Sequence, residues 1–198
     1  MFIFSACKRD LDIVLLIDVS NTDKELFSIF KECLAKFIEH CPTRPDRFAA
    51  VTFEESARVL FNFGQLNTSA QISSAIDSLE DRGEFTNLTE AFWKTRKAIL
   101  VPPGDRPYVN NVCILFTYGT PKELNSGLVE EAARLRECCK LIFVTIGREE
   151  RLTRLTRLSS DQWFFSVENF KLLESIKPNL TRKICEVPGK ALLTCMGS

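Results

Sequence analysis

Five consecutive aliphatic residues, Ile13-Val14-Leu15-Leu16-Ile17, run directly into Asp18, with Ser20 and Thr22 close behind. A run that is apolar at every position has no polar face to turn to water. It therefore fits a central strand of a parallel sheet, covered by helices on both sides. Sheets of this kind bind ligands just beyond the carboxyl ends of their strands. The pattern predicts a site at Asp18, Ser20 and Thr22, built from one carboxylate and two hydroxyls.

The rest of the chain supplies the covering layers. Leu26, Phe27, Phe30, Leu34, Phe37, Ile38 and Cys41 recur at steps of three and four, predicting an amphipathic helix that Pro42 and Pro45 end. Residues 48–53 and 57–61 are short and apolar, and the polar Glu54-Glu55-Ser56 joins them as a hairpin. Helices are expected over 70–79 and 88–100. A turn-rich break from Pro102 to Pro107 then precedes a strand over 112–117. Helix, strand, helix, strand and helix follow over 127–138, 141–146, 149–158, 162–165 and 167–183. Strands alternating with helices imply an α/β fold of Rossmann-like architecture: a mostly parallel sheet with helices on both faces and one antiparallel edge strand from the hairpin. Residues 186–198, with Pro188-Gly189 and little periodicity, read as a tail or linker.

Size and charge narrow the function. A chain of 198 residues fits one domain with a substantial core. Lysine plus arginine equals aspartate plus glutamate at 26 each, so no overall field favours nucleic acid or an anionic membrane, and a partner must be recognised locally. No apolar run approaches the roughly 20 residues of a membrane-spanning helix, and the apolar start at residues 1–6 is too short for a secretory signal. The glycine-rich dinucleotide and phosphate loops, the Gly-x-Ser-x-Gly elbow and Cys-x-x-Cys are all missing. His40, the single histidine, falls at a helix end beside Pro42, a surface position rather than a catalytic one. Trp93, Trp163 and the 16 phenylalanines fall within helix and strand patterns and read as core.

The spacing Asp18-x-Ser20-x-Thr22 after a buried strand resembles the opening of the metal-ion-dependent adhesion site of von Willebrand factor A domains. Gly83-Glu84-Phe85-Thr86-Asn87-Leu88-Thr89 resembles that family's threonine loop entering a helix. The family's fourth strand ends in Thr-Asp-Gly, whereas this chain has Thr117-Tyr118-Gly119. The resemblance covers residues 7–185, leaving 1–6 as an extension and 186–198 as the tail. It implies a six-stranded sheet in the order 3-2-1-4-5-6. It also implies a magnesium or manganese site formed by Asp18, Ser20, Thr22 and Thr86, in which hydroxyls bind the ion directly and a partner's carboxylate completes the shell. Oxygen ligands of this type suit magnesium. With a neutral phenol where the family has its second aspartate, binding of Mg2+ or Mn2+ is expected to be weak or absent. Ser, Thr and Asp are also good helix caps, so the same four residues could simply hydrogen-bond the loops together.

Within the family, the A domains of matrilins and collagen VI are the most similar in character. This likeness implies a secreted, non-catalytic domain that binds matrix or adhesion proteins such as collagens. The contact face would comprise Asn21, Glu84, Phe85, Tyr118 and Thr120. It also implies a disulfide between Cys7 and Cys185, which bracket the domain. The triplets at Asn67, Asn87 and Asn179 match the N-glycosylation pattern and point outward from the cytosol. Cys113 and Cys139, at the starts of neighbouring strands, are candidates to pair. Two rival readings keep the same fold: an intracellular scaffold with reduced cysteines, and a small α/β enzyme with a ligand at the strand ends. Arg151, Arg154 and Arg157 recur every third residue, a dock for sulfated glycans or acidic proteins if they are more than a solvated helix face.

Overall fold

A computed structural model of the chain describes residues 10–20, 24–41, 43–81, 85–118, 125–147, 153–160 and 163–187. Six strands form one sheet: β1 (Leu11–Asp18), β2 (Phe48–Phe53), β3 (Ala57–Phe61), β4 (Asn110–Thr117), β5 (Lys140–Ile146) and β6 (Phe164–Val167). Their order is β3-β2-β1-β4-β5-β6. Only the β2–β3 pair is antiparallel, as the hairpin requires. Every residue of β1 is buried, which confirms the reading of its unbroken apolar run.

Period-two alternation divides the sheet between two cores. Ile13, Leu15 and Ile17 of β1 and Val112, Ile114 and Phe116 of β4 face the first. Helices α1 (Lys24–His40), α2 (Ser69–Asp77) and α5 (Leu173–Cys185) cover it, contributing Phe30, Leu34, Ile72, Leu180 and Ile184. Val14, Leu16, Cys113 and Leu115 face the second core, under α3 (Leu88–Lys94) and α4 (Ser126–Cys138) with Phe92, Ala132 and Leu135.

The chain beyond α3 departs from the expected α-helix over 88–100. After Lys94 it widens to a π-helix over Thr95–Ile99, with Leu100 N–H donating to Thr95 O at 3.0 Å. This segment directs Arg96 into a buried ion pair with Glu131 of α4 at 2.8 Å. The last strand also differs from the expected 162–165. Its pairing with β5 runs from Phe143–Phe164 to Ile146–Val167, and Gly147, at φ 130°, donates to Val167 O at 2.8 Å. Val167 is thus a strand residue, and the helix expected from 167 begins later. Asn169 accepts from Lys171 N–H at 3.0 Å and starts a 3-10 turn over Phe170–Leu172, which leads into α5. The helix expected over 149–158 is described as a 3-10 helix over Thr153–Leu158. In that helix the side chains at i and i+3 eclipse. The triplet repeat accordingly buries Leu155 and Leu158 and leaves Arg157 exposed; Arg151 lies outside the described residues.

At the amino ends of the strands, Asp12 is fully buried and gripped by two arginines. Arg47 donates to both its oxygens at 2.7 and 2.6 Å, and Arg106 reaches it at 2.6 Å while also holding Asp10 at 2.6 and 2.8 Å. The described cysteines split into two groups. Cys138 and Cys185 are each part of a disulfide. Cys33, Cys41, Cys113 and Cys139 are free thiols, and burial pushes the Cys41 thiol up to about 12. Cys113 and Cys139 therefore do not pair. Their sulfurs meet through a hydrogen bond, and burial with that contact holds the Cys113 thiol well above its ordinary range. Cys7 lies outside the described residues. Among these residues no helix is long and apolar enough to cross a membrane.

Candidate functional site at the strand carboxyl ends

The site grows from the ends of β1 and β4. Their register pairs Ile17 with Phe116, which makes Asp18 and Thr117 the next neighbours across the ladder. Both belong to the parity that faces the second core, so their side chains meet. Thr117 Oγ1 donates to Asp18 Oδ2 at 2.6 Å. The Asp18 carboxylate is fully buried and is held by its own loop as well. Ser20 N–H donates to Oδ1 at 3.1 Å and Ser20 Oγ donates to the same oxygen at 2.7 Å. Three donors at these distances satisfy a charge that could not otherwise be buried.

Thr86 arrives from a separate loop. Its Oγ1 stands 3.0 Å from Ser20 Oγ and 3.4 Å from Asp18 Oδ2. Asn87 fixes that loop: its N–H donates to Glu54 O at 2.8 Å and its Nδ2 to Glu55 O at 3.1 Å. Its Oδ1 caps α3 by accepting from Glu90 N–H at 3.1 Å. The β2–β3 turn thereby holds Thr86 beside Ser20. Glu54 adds no charge to the site, because its carboxylate is occupied by Arg58 at 3.0 Å and by Glu55 N–H at 3.0 Å.

Three of the four expected metal ligands, Asp18, Ser20 and Thr86, are brought together; Thr22 lies outside the described residues. Thr117 is an addition to the expected ligand set: it matches the threonine of the family's strand-end Thr-Asp-Gly but was not among the four expected ligands. Among the residues expected at the contact face, Asn21, Glu84 and Thr120 lie outside the described ones, and Phe85 is exposed. Tyr118 is half-buried and continues the parity of Val112, Ile114 and Phe116. Its ring packs on the first core, with centroids 5.3 Å from Phe170 and 6.3 Å from Phe30.

The donor set fits a small hard cation in part. Two ligands at right angles around magnesium, each about 2.1 Å away, stand about 3.0 Å apart. That is the separation of Ser20 Oγ and Thr86 Oγ1. With the Ser20 proton committed to Asp18, its oxygen keeps lone pairs for an ion. Charge is the weaker element, because Asp18 is the one carboxylate hydrogen-bonded to this pair among the described residues. No group of three or more His, Cys, Asp or Glu that could hold a metal occurs among them. A shallow groove lies elsewhere, between α1 and α5, lined by Cys33, Leu34, Phe37, Phe116, Leu173 and Leu180. None of the residues at the Asp18 site borders it.

The sequons separate in space. Asn67 is exposed in the loop before α2, and Asn179 is exposed on α5, where it accepts from Arg182 at 3.1 Å. Asn87 is exposed but has both ends of its amide engaged at the site.

Comparison with known proteins adds three findings. The family model of the von Willebrand factor type A domain matches residues 12–179. The human collagen alpha-6(VI) chain is 28% identical over 185 residues, 91% of this chain and 8% of that protein. Human matrilin-1 is 25% identical over 182 residues, covering 88% and 36% respectively. Among solved structures, proximal thread matrix protein 1 from the mussel byssus superposes with a TM-score of 0.81 at 20% identity, over 91% of this chain and 49% of its own. Another structure of that mussel protein, described as having a zinc-occupied MIDAS motif, gives 0.77 at 22% identity over 90% and 46%. The chain thus spans less than half the length of each of these proteins.

Proposed function

The chain belongs to the von Willebrand factor type A domain family, and from that premise we propose that it is a non-catalytic adhesion domain of a secreted matrix protein. It binds a partner protein at the carboxyl ends of its strands, through an adhesion site weakened by Tyr118. The observation that carries this reading is the convergence of Asp18, Ser20 and Thr86, with two hydroxyl oxygens 3.0 Å apart at the tip of a buried strand. Likeness to collagen VI and matrilin-1 supports a matrix setting.

Ser20 and Thr86, with Thr22, would hold a magnesium or manganese ion, and Asp18 would orient their hydroxyls. When bound, the ion supplies a positive charge for a partner's carboxylate. With Asp18 as the single negative charge among the described ligands, that contribution is small. Phe85, exposed beside Thr86, then carries the apolar contact area, with Asn21, Glu84 and Thr120 as polar contacts and Tyr118, its ring turned to the first core, at the rim; exposed aromatics are frequent interface anchors. Collagens and other matrix proteins are the proposed partners. Secretion, a Cys7–Cys185 disulfide and N-glycans at Asn67, Asn87 and Asn179 belong to the same reading. The disulfide state of Cys185 is consistent with it.

The test is binding to immobilised matrix proteins, collagens first, with and without chelator, for the chain, Phe85→Ala and Ser20→Ala. We expect chelation to weaken binding by less than about threefold and Phe85→Ala to weaken it tenfold or more, about 1.4 kcal/mol. Binding that ignores Phe85→Ala and Ser20→Ala alike would put the contact on another face. Non-reducing peptide mapping of secreted protein that found Cys185 as a free thiol would favour the intracellular scaffold.

A further inference from the structure

Of the three N-glycosylation triplets, Asn87-Leu88-Thr89 is the one beside Thr86, whose Oγ1 stands 3.0 Å from Ser20 Oγ. Asn87 is exposed, yet folding commits the triplet. Its Nδ2 donates to Glu55 O at 3.1 Å, and its Oδ1 accepts from Glu90 N–H at 3.1 Å. Asn87 O takes the Ala91 N–H at 3.2 Å, so Leu88 and Thr89 are wound into the first turn of α3. Leu88 is 1% exposed and belongs to the second core. A transferase must draw an Asn-x-Thr triplet out of the surface to seat the amide and the threonine hydroxyl in its own site, which is why such triplets are used in accessible loops. Drawing this one out would unseat Leu88. The triplet is thus open in the unfolded chain and closed in the folded one. Asn67 differs. It follows the loop that Gly64 N–H ties to Asp46 O at 2.8 Å, at the amino ends of the strands, and its backbone N–H rather than its amide is engaged, with Gln71 Oε1 at 2.9 Å.

We propose that Asn87 is a modification site whose glycan closes the adhesion face; the inference rests on the reading of the strand carboxyl ends as a partner-binding surface. Before folding, Nδ2 attacks C1 of an oligosaccharide carried on a polyprenyl pyrophosphate. The N–C1 bond forms, the C1–O bond breaks, the pyrophosphate leaves on its lipid, and one Nδ2 proton passes to a base of the transferase. The product keeps one N–H for Glu55 O and its carbonyl for Glu90 N–H, so the Thr86 loop and α3 fold as before. The sugar takes the place of the other Nδ2 hydrogen, on an exposed side chain next to Thr86 and close to the exposed Phe85. A bulky, hydrated glycan there fills the space through which a partner protein reaches Ser20, Thr86 and Phe85. The speed of folding then sets the outcome: a domain that buries Leu88 first escapes the modification and keeps an open face.

The experiment secretes the chain from cultured animal cells behind a cleavable signal, with and without dithiothreitol during synthesis to delay folding, alongside Thr89→Ala and Asn67→Gln. Thr89→Ala destroys the triplet and leaves the Asn87 cap in place, while Asn67→Gln removes a glycan from the far end of the strands. Peptide mapping after enzymatic deglycosylation should find Asn87 glycosylated, with its occupancy raised by the reductant. Asn87 unmodified in both cultures would overturn the proposal. The form glycosylated at Asn87 should bind the immobilised matrix proteins of the adhesion test about tenfold more weakly than Thr89→Ala, with or without Asn67→Gln. Chymotrypsin should also cut it after Phe85 several times more slowly, a readout of the covered face that needs no partner. Binding or cutting equal to that of Thr89→Ala would overturn the proposal. Failure of Thr89→Ala itself to bind, with the difference in cutting intact, would instead sink the adhesion reading and leave the glycan over the face.

Discussion

Thr117 Oγ1 donates to Asp18 Oδ2 at 2.6 Å, joining the tips of two adjacent parallel strands through a pair of side chains that water does not reach. The bond is charge-assisted and buried, so its loss leaves part of a carboxylate unsatisfied. Thr117→Val keeps the shape and removes the donor. It should lower stability by about 1.5–3 kcal/mol, read as a shift of the urea midpoint with an unchanged m-value, while Thr117→Ser keeps most of the stability. Equal stability of Thr117→Val and the parent would mean that Asp18 is satisfied without it.

Tyr118→Asp should move stability and metal affinity in opposite directions. Removing a half-buried ring from Phe30 and Phe170 costs roughly 1–3 kcal/mol in metal-free buffer. Calorimetry should find magnesium and manganese bound more tightly by the variant, and saturating magnesium should raise its melting temperature more than the parent's, since a ligand specific for the folded state adds to stability. Micromolar magnesium binding by the parent would refute the view of the site as weakened.

Arg96 and Glu131 form a buried pair with side chains 7% exposed on each side. Breaking it with Glu131→Ala should cost about 3–5 kcal/mol, because a charge is stranded. Replacing both, as Arg96→Met/Glu131→Leu, should recover most of that loss. A double variant as unstable as the single one would show that the pair does more than satisfy its own charges.

Asp10 gives a pH signature. The hydrogen bond from Arg106 holds its carboxyl below the ordinary value of 3.8. A carboxyl depressed in the folded state contributes stability above its unfolded value and loses it as pH falls through the folded one. The gap in melting temperature between the chain and Asp10→Asn should therefore be fully present above about pH 4 and close below it. Because Asp10 is largely exposed, the gap should shrink in high salt.

Much of the fold was legible because its strongest signals are local. The hairpin strands and the central strand follow from apolar runs with clear ends, and the observed β2 and β3 keep the expected bounds of 48–53 and 57–61. The π-helix after Lys94 could not be read, since it depends on a shift from i−4 pairing, as in Thr95 N–H to Ala91 O, to i−5 pairing, as in Leu100 N–H to Thr95 O, whereas the side-chain pattern of 88–100 fits an ordinary helix. The last strand was misplaced because its limits are set by pairing with β5 and by the Asn169 cap. Neither leaves a periodic mark.

At the site, the grouping of Asp18, Ser20 and Thr86 was readable from spacing and resemblance. Thr117 stood in the matched strand-end motif, but that its hydroxyl reaches Asp18 follows only from the register of β1 with β4. The direction of Tyr118, by contrast, was available in principle. Counting by twos from Val112 through Ile114 and Phe116 reaches Tyr118, which places its ring on the inner face.

A partner held at Asp18 would pull on β1 along the strand's own axis. β1 is hydrogen-bonded on both sides in parallel register, to β2 from Ile13 to Asp18 and to β4 from Leu11 to Ile17. Force in that direction loads those bonds in shear, so they resist together, whereas a strand peeled sideways from an edge gives way one bond at a time. The Asp18–Thr117 bond at the tip shares the tension between β1 and β4 from the first point of contact. The proposed binding site thus sits at the end of a strand paired on both sides, so a load applied there is shared among many bonds at once.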